Sequence, residues 1–148
     1  RFLIVDCPTT TTLPKYLREF AKFGVTDVVR VCEPTYPAEL VEAVGIHVHD
    51  LPFPDGGIPP PAVLKAWLGL LLQANLKSHS SSSSSSSTQC LPTIAIHCVA
   101  GLGRAPVMVA IALIERGLDP LDTIELVRKH RRGAFNSKQV SYLAEYKR

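Results

Sequence analysis

The sequence predicts an α/β fold with a mainly parallel central sheet flanked by helices. Three observations carry that reading. Short apolar or β-branched runs alternate along the chain with stretches at helical spacing, the pattern of strands joined by crossover helices. The run RAPVMVAIALIER at 104–116 is apolar on nearly every side, so this helix belongs at the centre of a layered domain. At 148 residues the chain suits a single domain, residues 1–148, able to bury a core without disulfides or metals.

The elements follow in order. Residues 2–5 (FLIV) read as an edge or outer strand, and 9–12 as a polar turn. Leu13, Tyr16, Leu17, Phe20, Ala21 and Phe23 set a helix over 13–23, closed by Gly24 as a C-cap. Val25, Val28, Val29 and Val31 make a strand over 25–31. A short helix over 37–44 is closed by Gly45, and 46–49 is a short strand. Residues 51–61 hold Pro52, Pro54, Gly56, Gly57, Pro59, Pro60 and Pro61 and must be a loop. Helical spacing resumes over 62–76.

Residues 77–89 are nearly all serine. Such low complexity cannot build a core, so 78–89 reads as a surface insertion, either mobile or controlled by phosphorylation. It precedes a strand, which puts it at the end of the sheet opposite Cys98. TIAIH at 93–97 is that strand, 98–103 a turn, and 104–116 the apolar helix ended by Gly117. Asp119-Pro120 opens a helix running to about 130, with proline well placed in its first turn. After a loop at 131–135, Asn136 and Gln139 resemble a capping box for a last helix.

Composition excludes little but points one way. The net charge of +3 is compatible with an anionic substrate, and no nucleic-acid partner is expected. The longest apolar run, 106–115, falls well short of the ~18 residues of a membrane span. The chain starts at Arg1 and shows no signal peptide. Cys7, Cys32, Cys90 and Cys98 contain no CxxC pair, so neither a metal site nor a cofactor is expected. Thiols in a reducing, cytoplasmic setting are the reading they favour.

The chemistry concentrates in His97-Cys98-Val99-Ala100-Gly101-Leu102-Gly103-Arg104. A cysteine and an arginine five residues apart sit between an apolar strand and an apolar helix. A tight loop opening a helix turns successive backbone N–H groups inward, and with the positive helix end they form an anion cradle. Gly101 and Gly103 allow the dihedrals this needs. Val99 to Gly103 would supply the cradle, and Arg104 would fork onto a tetrahedral oxyanion. Cys98 on the floor of that cradle would be a thiolate nucleophile for phosphoryl transfer. The leaving group needs a proton, for which Asp55 in the Pro/Gly-rich loop is the candidate. Asp50 competes, nearer the strand end, where it could instead brace the loop.

Other residues keep two readings. Cys32 ends its strand at the same edge of the sheet as Cys98. It is either a buried apolar cysteine or the partner of a reversible disulfide with Cys98. Cys7 and Cys90 read as structural or surface thiols. The basic run 129–132 suits a helix C-terminus, or guards the anion pocket or meets anionic lipid. His97 reads as a residue that orients the loop and not as a base.

The runs HCVAGLGRAPVMVAIALIE, VVRVCEPTY and RRGAFNSKQ closely resemble the phosphatases of regenerating liver, the type IVA protein tyrosine phosphatases. The similarity covers nearly the whole chain apart from the serine insertion. It implies the dual-specificity phosphatase fold, with Cys98 as nucleophile, Arg104 as phosphate binder and Asp55 as general acid. It also implies a regulatory Cys32–Cys98 disulfide. Ala105 stands where most relatives with this loop carry Ser or Thr. The missing hydroxyl implies slow hydrolysis of the phosphocysteine. The acid loop departs from the family pattern, near WPFDDGAPP: Leu51 replaces the tryptophan and Pro54 the first acid.

The function implied is hydrolysis of phosphoprotein monoesters, at phosphotyrosine or with dual specificity, with phosphoinositides as another substrate option. The alternative is a binding module that engages cyclin-M magnesium transport mediators through the same pocket. Persulfide transfer by Cys98 would make a third class. The family's polybasic tail and prenylation motif are not among these residues, so membrane attachment would need a prenylated tail beyond Arg148.

Overall fold

A computed structural model of the chain describes residues 1–80, 92–99 and 103–148, with residues 76–80 described by their backbone alone. Among the described residues four strands form one sheet: β1 (Phe2–Val5), β2 (Val25–Arg30), β3 (His47–Asp50) and β4 (Thr93–His97). The order is β1-β4-β2-β3 and every pairing is parallel. The described residues also form six helices that connect and cover them: α1 (Leu13–Phe23), α2 (Ala38–Glu42), α3 (Pro61–Ser80), α4 (Arg104–Glu115), α5 (Pro120–His130) and α6 (Ser137–Ala144).

Strand alternation divides the core in two. Val29, Ile94 and Ile96 point to one face, where they meet Trp67 of α3, Met108 and Ile111 of α4, and Leu143 of α6. Val28 and Ala95 point to the other, against Leu13 and Phe20 of α1 and Val41 of α2. A parallel sheet covered on both faces is the expected architecture. β4, flanked by two strands and two cores, is buried along its whole length. α4 is buried at every residue from Arg104 to Ala112 and again at Ile114. Trp67 pins α3 to it by donating from Nε1 to the Met108 carbonyl at 2.9 Å.

The boundaries differ where turn chemistry intervenes. α2 is shorter than 37–44, because Pro37 stays extended at ψ 133° and Gly45 takes a left-handed φ of 85°. β3 starts one residue later than predicted, where His47 pairs with Asp27. α3 is longer than 62–76. Pro61 opens it, where a missing N–H costs nothing, and its backbone stays helical to Ser80. The first three residues assigned to the serine insertion thus continue α3. Residues 81–89 of that insertion, and Cys90, lie outside the described residues.

Because all strands run the same way, their carboxyl ends share one edge. Cys7 follows β1, Cys32 follows β2, the Pro/Gly-rich loop follows β3, and Cys98 follows β4.

Candidate active site

β4 ends at His97 and α4 opens at Arg104, so Cys98 follows the strand directly and Arg104 is the first residue of the helix. Cys98 is 2% exposed and Arg104 7%, whereas Val99 turns outward at 63%. Ala100, Gly101 and Leu102, three of the cradle residues expected from sequence, lie outside the described residues. Gly103 is the N-cap of α4. A Cβ there would come within 3.2 Å of Gln139 Nε2, so glycine lets α6 approach the turn closely.

Among the described residues, Arg104 is held by the loop that follows β3. Its Nη1 donates to the Phe53 carbonyl at 3.1 Å. Its Nε lies 3.6 Å from Asp55 Oδ1, an ion pair, but is buried without a hydrogen bond among the described atoms. Buried donors are rarely left so, and each such case calls for an explanation. Here the uncommitted N–H belongs to a guanidinium at a helix N-terminus, where the helix dipole also favours negative charge. An oxyanion placed there would gain a charge-assisted hydrogen bond.

Cys32 is 2% exposed. Burial, then Cys7, pushes its thiol up to about 11; Arg104 pulls the other way and Cys98 adds to the rise. Cys32, Cys98 and Arg104 therefore share one electrostatic neighbourhood. None of Cys7, Cys32 and Cys98 is in a disulfide in this structure.

Asp55 lies at the tip of the loop after β3, with its side chain 87% exposed. Phe53, 5% exposed, roots the loop in the core. Gly57 closes a turn onto the Pro54 carbonyl at 3.0 Å, and a Cβ there would lie 2.9 Å from that oxygen. Only glycine fits. The N-cap of α6 and one side chain within it tie the loop down: Asn136 Nδ2 donates to the Gly56 carbonyl and Gln139 Nε2 to the Gly57 carbonyl, both at 3.0 Å. These residues also form the capping box predicted for them. Sequence reasoning saw the cap and missed the second task; the signal was a glutamine whose amide N–H₂ the cap leaves unused.

Asp50 is engaged elsewhere. Arg30 donates to it from Nε at 2.6 Å and from Nη2 at 2.8 Å, the bidentate geometry arginine makes with carboxylates. Arg30 also donates to the Tyr36 carbonyl at 2.6 Å and stacks on the Tyr36 ring. Tyr36 in turn hydrogen-bonds His97 Nε2 through its hydroxyl at 2.7 Å. Burial lowers His97 to about 4, so the ring is neutral near pH 7. That suits a residue that orients the chain before Cys98. In the basic run, Lys129 and His130 sit in the last turn of α5 and Arg131 pairs with Asp6 at 2.6 Å, the helix-end placement foreseen.

No protein-family model matches the chain. Curated relatives do. The chain is 50% identical over 147 residues to a Dictyostelium discoideum protein named probable protein tyrosine phosphatase type IVA A, covering 99% of this chain and 82% of the relative. It is 48% identical to mouse protein tyrosine phosphatase type IVA 2, covering 99% and 81%. Among solved structures, a protein tyrosine phosphatase from Leishmania major superposes with a TM-score of 0.86 at 48% identity, over 99% of this chain and 88% of that one. Kinase associated phosphatase, at 21% identity and a TM-score of 0.71 over 97% and 83% of the two chains, shares the fold alone.

Proposed function

The chain belongs to the type IVA protein tyrosine phosphatases, the phosphatases of regenerating liver, and from that premise we propose how its own residues divide the work. It is a protein tyrosine phosphatase of dual-specificity fold, and its substrates are phosphoproteins. Cys98 is the nucleophile, the turn from Val99 to Gly103 with Arg104 binds the phosphate, and Asp55 is the general acid. The observation that supports this division is Arg104: buried, at the opening of α4, paired with Asp55, and with no hydrogen bond from its Nε among the described residues.

The steps balance without a cofactor. The Cys98 thiolate attacks phosphorus, the bond from phosphorus to the ester oxygen breaks, and Asp55 gives that oxygen its proton. Water then attacks the phosphocysteine, Asp55 takes a proton back, and the thiolate leaves with phosphate released. Arg104 holds the equatorial oxygens through both steps.

The second step is the slow one. Ala105, fully buried in the first turn of α4, offers no hydroxyl to the departing sulfur. Rapid mixing with an aryl phosphate should show a burst near one equivalent of enzyme followed by slow turnover, and intact-mass measurement should find one phosphoryl group on Cys98. A linear course with no adduct would overturn both the residue roles and the slow step.

The shared neighbourhood of Cys32, Cys98 and Arg104 supports a reversible Cys32–Cys98 disulfide as a redox control. We also propose cyclin-M magnesium transport mediators as partners of the same pocket, supported by the family resemblance. Binding that survives Asp55→Ala but is lost when Cys98 is phosphorylated would favour this; binding indifferent to the adduct would remove it. Among the described residues no helix is long and apolar enough to cross a membrane. We place the enzyme in the cytoplasm, with attachment to a membrane face depending on a prenylated tail.

A further inference from the structure

Cys7, Cys32 and His97 come from the carboxyl ends of three different strands, far apart in sequence. Their two sulfurs and a ring nitrogen all lie within 4.8 Å of one another. Cys32 Sγ is 3.8 Å from His97 Nδ1. A tetrahedral zinc ion, with bonds of ~2.3 Å to sulfur and ~2.05 Å to nitrogen, requires S···N near ~3.6 Å and S···S near ~3.8 Å. The observed S···N separation already lies within about 0.2 Å of that requirement.

A second observation points the same way. Nε2 of His97 is engaged by the Tyr36 hydroxyl at 2.7 Å, and Tyr36 is fixed in turn by Arg30. Metal-bound histidines are held in this way, with one nitrogen oriented by an outer partner; the His97 ring is also hydrogen-bonded to the Cys98 backbone, a bond that Nδ1 would exchange for the metal. Access exists as well, since Cys7 is partly exposed while Cys32 and His97 are buried.

We propose that Cys7 Sγ, Cys32 Sγ and His97 Nδ1 form a binding site for a soft divalent cation, zinc, with a fourth position for water. Binding releases the two thiol protons, so two neutral thiols become two thiolates around one doubly charged ion. The net charge of this buried corner beside Arg30 and Arg104 is therefore unchanged. The bound ion would tie together the exits of β1, β2 and β4. It would also withdraw Cys32 from any disulfide with Cys98 without occupying Cys98 itself. No CxxC motif announces the site, because the fold and not the local spacing assembles it.

The test uses the whole chain carrying Cys98→Ser, which removes zinc capture by the nucleophile and makes the result independent of catalytic activity. Titrate it with zinc against a chromophoric chelator, and with cobalt to read the sulfur-to-cobalt charge-transfer band. The expected result is one equivalent per chain with a thiolate band. Adding Cys7→Ser, or Cys7→Ala, should weaken zinc at least about 100-fold and abolish the band, since even outer-shell changes cost roughly 10–100-fold. Tyr36→Phe should weaken it about 10-fold, and Cys90→Ser should leave it unchanged. Circular dichroism checks that each variant is folded. Unaltered zinc affinity in folded Cys7→Ser protein, or binding seen only when Cys98 is present, would overturn the site.

Discussion

Two loops meet at the carboxyl edge of the sheet, and they are built on opposite plans. The segment from Cys98 to Arg104 lies between the most enclosed strand and the most enclosed helix, and its two end residues are almost without solvent contact. The loop from 51 to 60 carries its acid outward, 87% exposed. It is fixed by Phe53 beneath and by two amide hydrogen bonds from α6. The first is positioned by packing, where a displaced atom disturbs the whole core. The second is positioned by a few polar tethers, each worth about 1 kcal/mol. Damage to the first should therefore be severe and damage to the second graded.

The sharpest way to break this contrast is Arg104→Lys, which keeps the charge but loses the fork of N–H groups. It should lower kcat/KM about 1000-fold, measured with a phosphotyrosine peptide. A loss below tenfold would mean that the turn is not the anion seat.

The packed region should also betray itself through pH. Burial holds His97 near 4, against ~6.5 in the unfolded chain. As pH falls the unfolded chain takes the proton first. The stability tied to the neutral ring is thus complete above ~6.5 and is lost progressively down to about 4, roughly 3 kcal/mol in all. Urea unfolding across that window should show the slope, and His97→Asn should flatten it. An unchanged slope in the variant would show that this corner is more open to solvent than the packing implies.

On the tethered side, Asp55→Asn should lower kcat/KM, which reports the first step, about 100-fold for an alkyl or phenyl phosphate, and far less for a nitrophenyl ester whose leaving group needs no proton. Equal losses for both esters would remove Asp55 from the acid role. Gln139→Ala should be mildest, about tenfold in kcat with about 1 kcal/mol of stability from the broken cap. If it instead matched Arg104→Lys, the two loops would be one mechanical unit and the contrast would fail.

Much of this architecture is legible in the sequence because it is local. The all-round apolar character of 104–116 announces a buried helix, and α4 is one. Gly24, with a φ of 66°, closes α1 as its position predicts. Asn136 and Gln139 form the cap their spacing suggests. Cys98 is found directly after its strand and Arg104 at the start of its helix, because the strand and helix around them are unambiguous.

What stays hidden depends on pairing across distance. Nothing near Asp50 in the chain says that Arg30, on the adjacent strand, holds both its oxygens. Nothing near Gln139 says that its spare amide reaches Gly57. The Cys7, Cys32 and His97 cluster exists only because three parallel strands end together. The length of α3 escaped for another reason, since serine is a fair helix residue only when a helix already precedes it.

A buried hydrogen bond ties α3 to α4 in the first half of the longer helix, at Trp67 and Met108, and an exposed one follows from Arg116 to Asn75 at 3.4 Å. From Trp67 to Ser80 the backbone runs on for 13 residues, 80 − 67, or about 20 Å. Thr93, where the chain re-enters the sheet, is separately anchored to the Phe23 carbonyl at 2.9 Å. The join between Ser80 and Thr93 can therefore be lengthened or shortened with little force reaching Cys98 and Arg104. The far end of α3 is a place where evolution, or an engineer, can splice in foreign sequence.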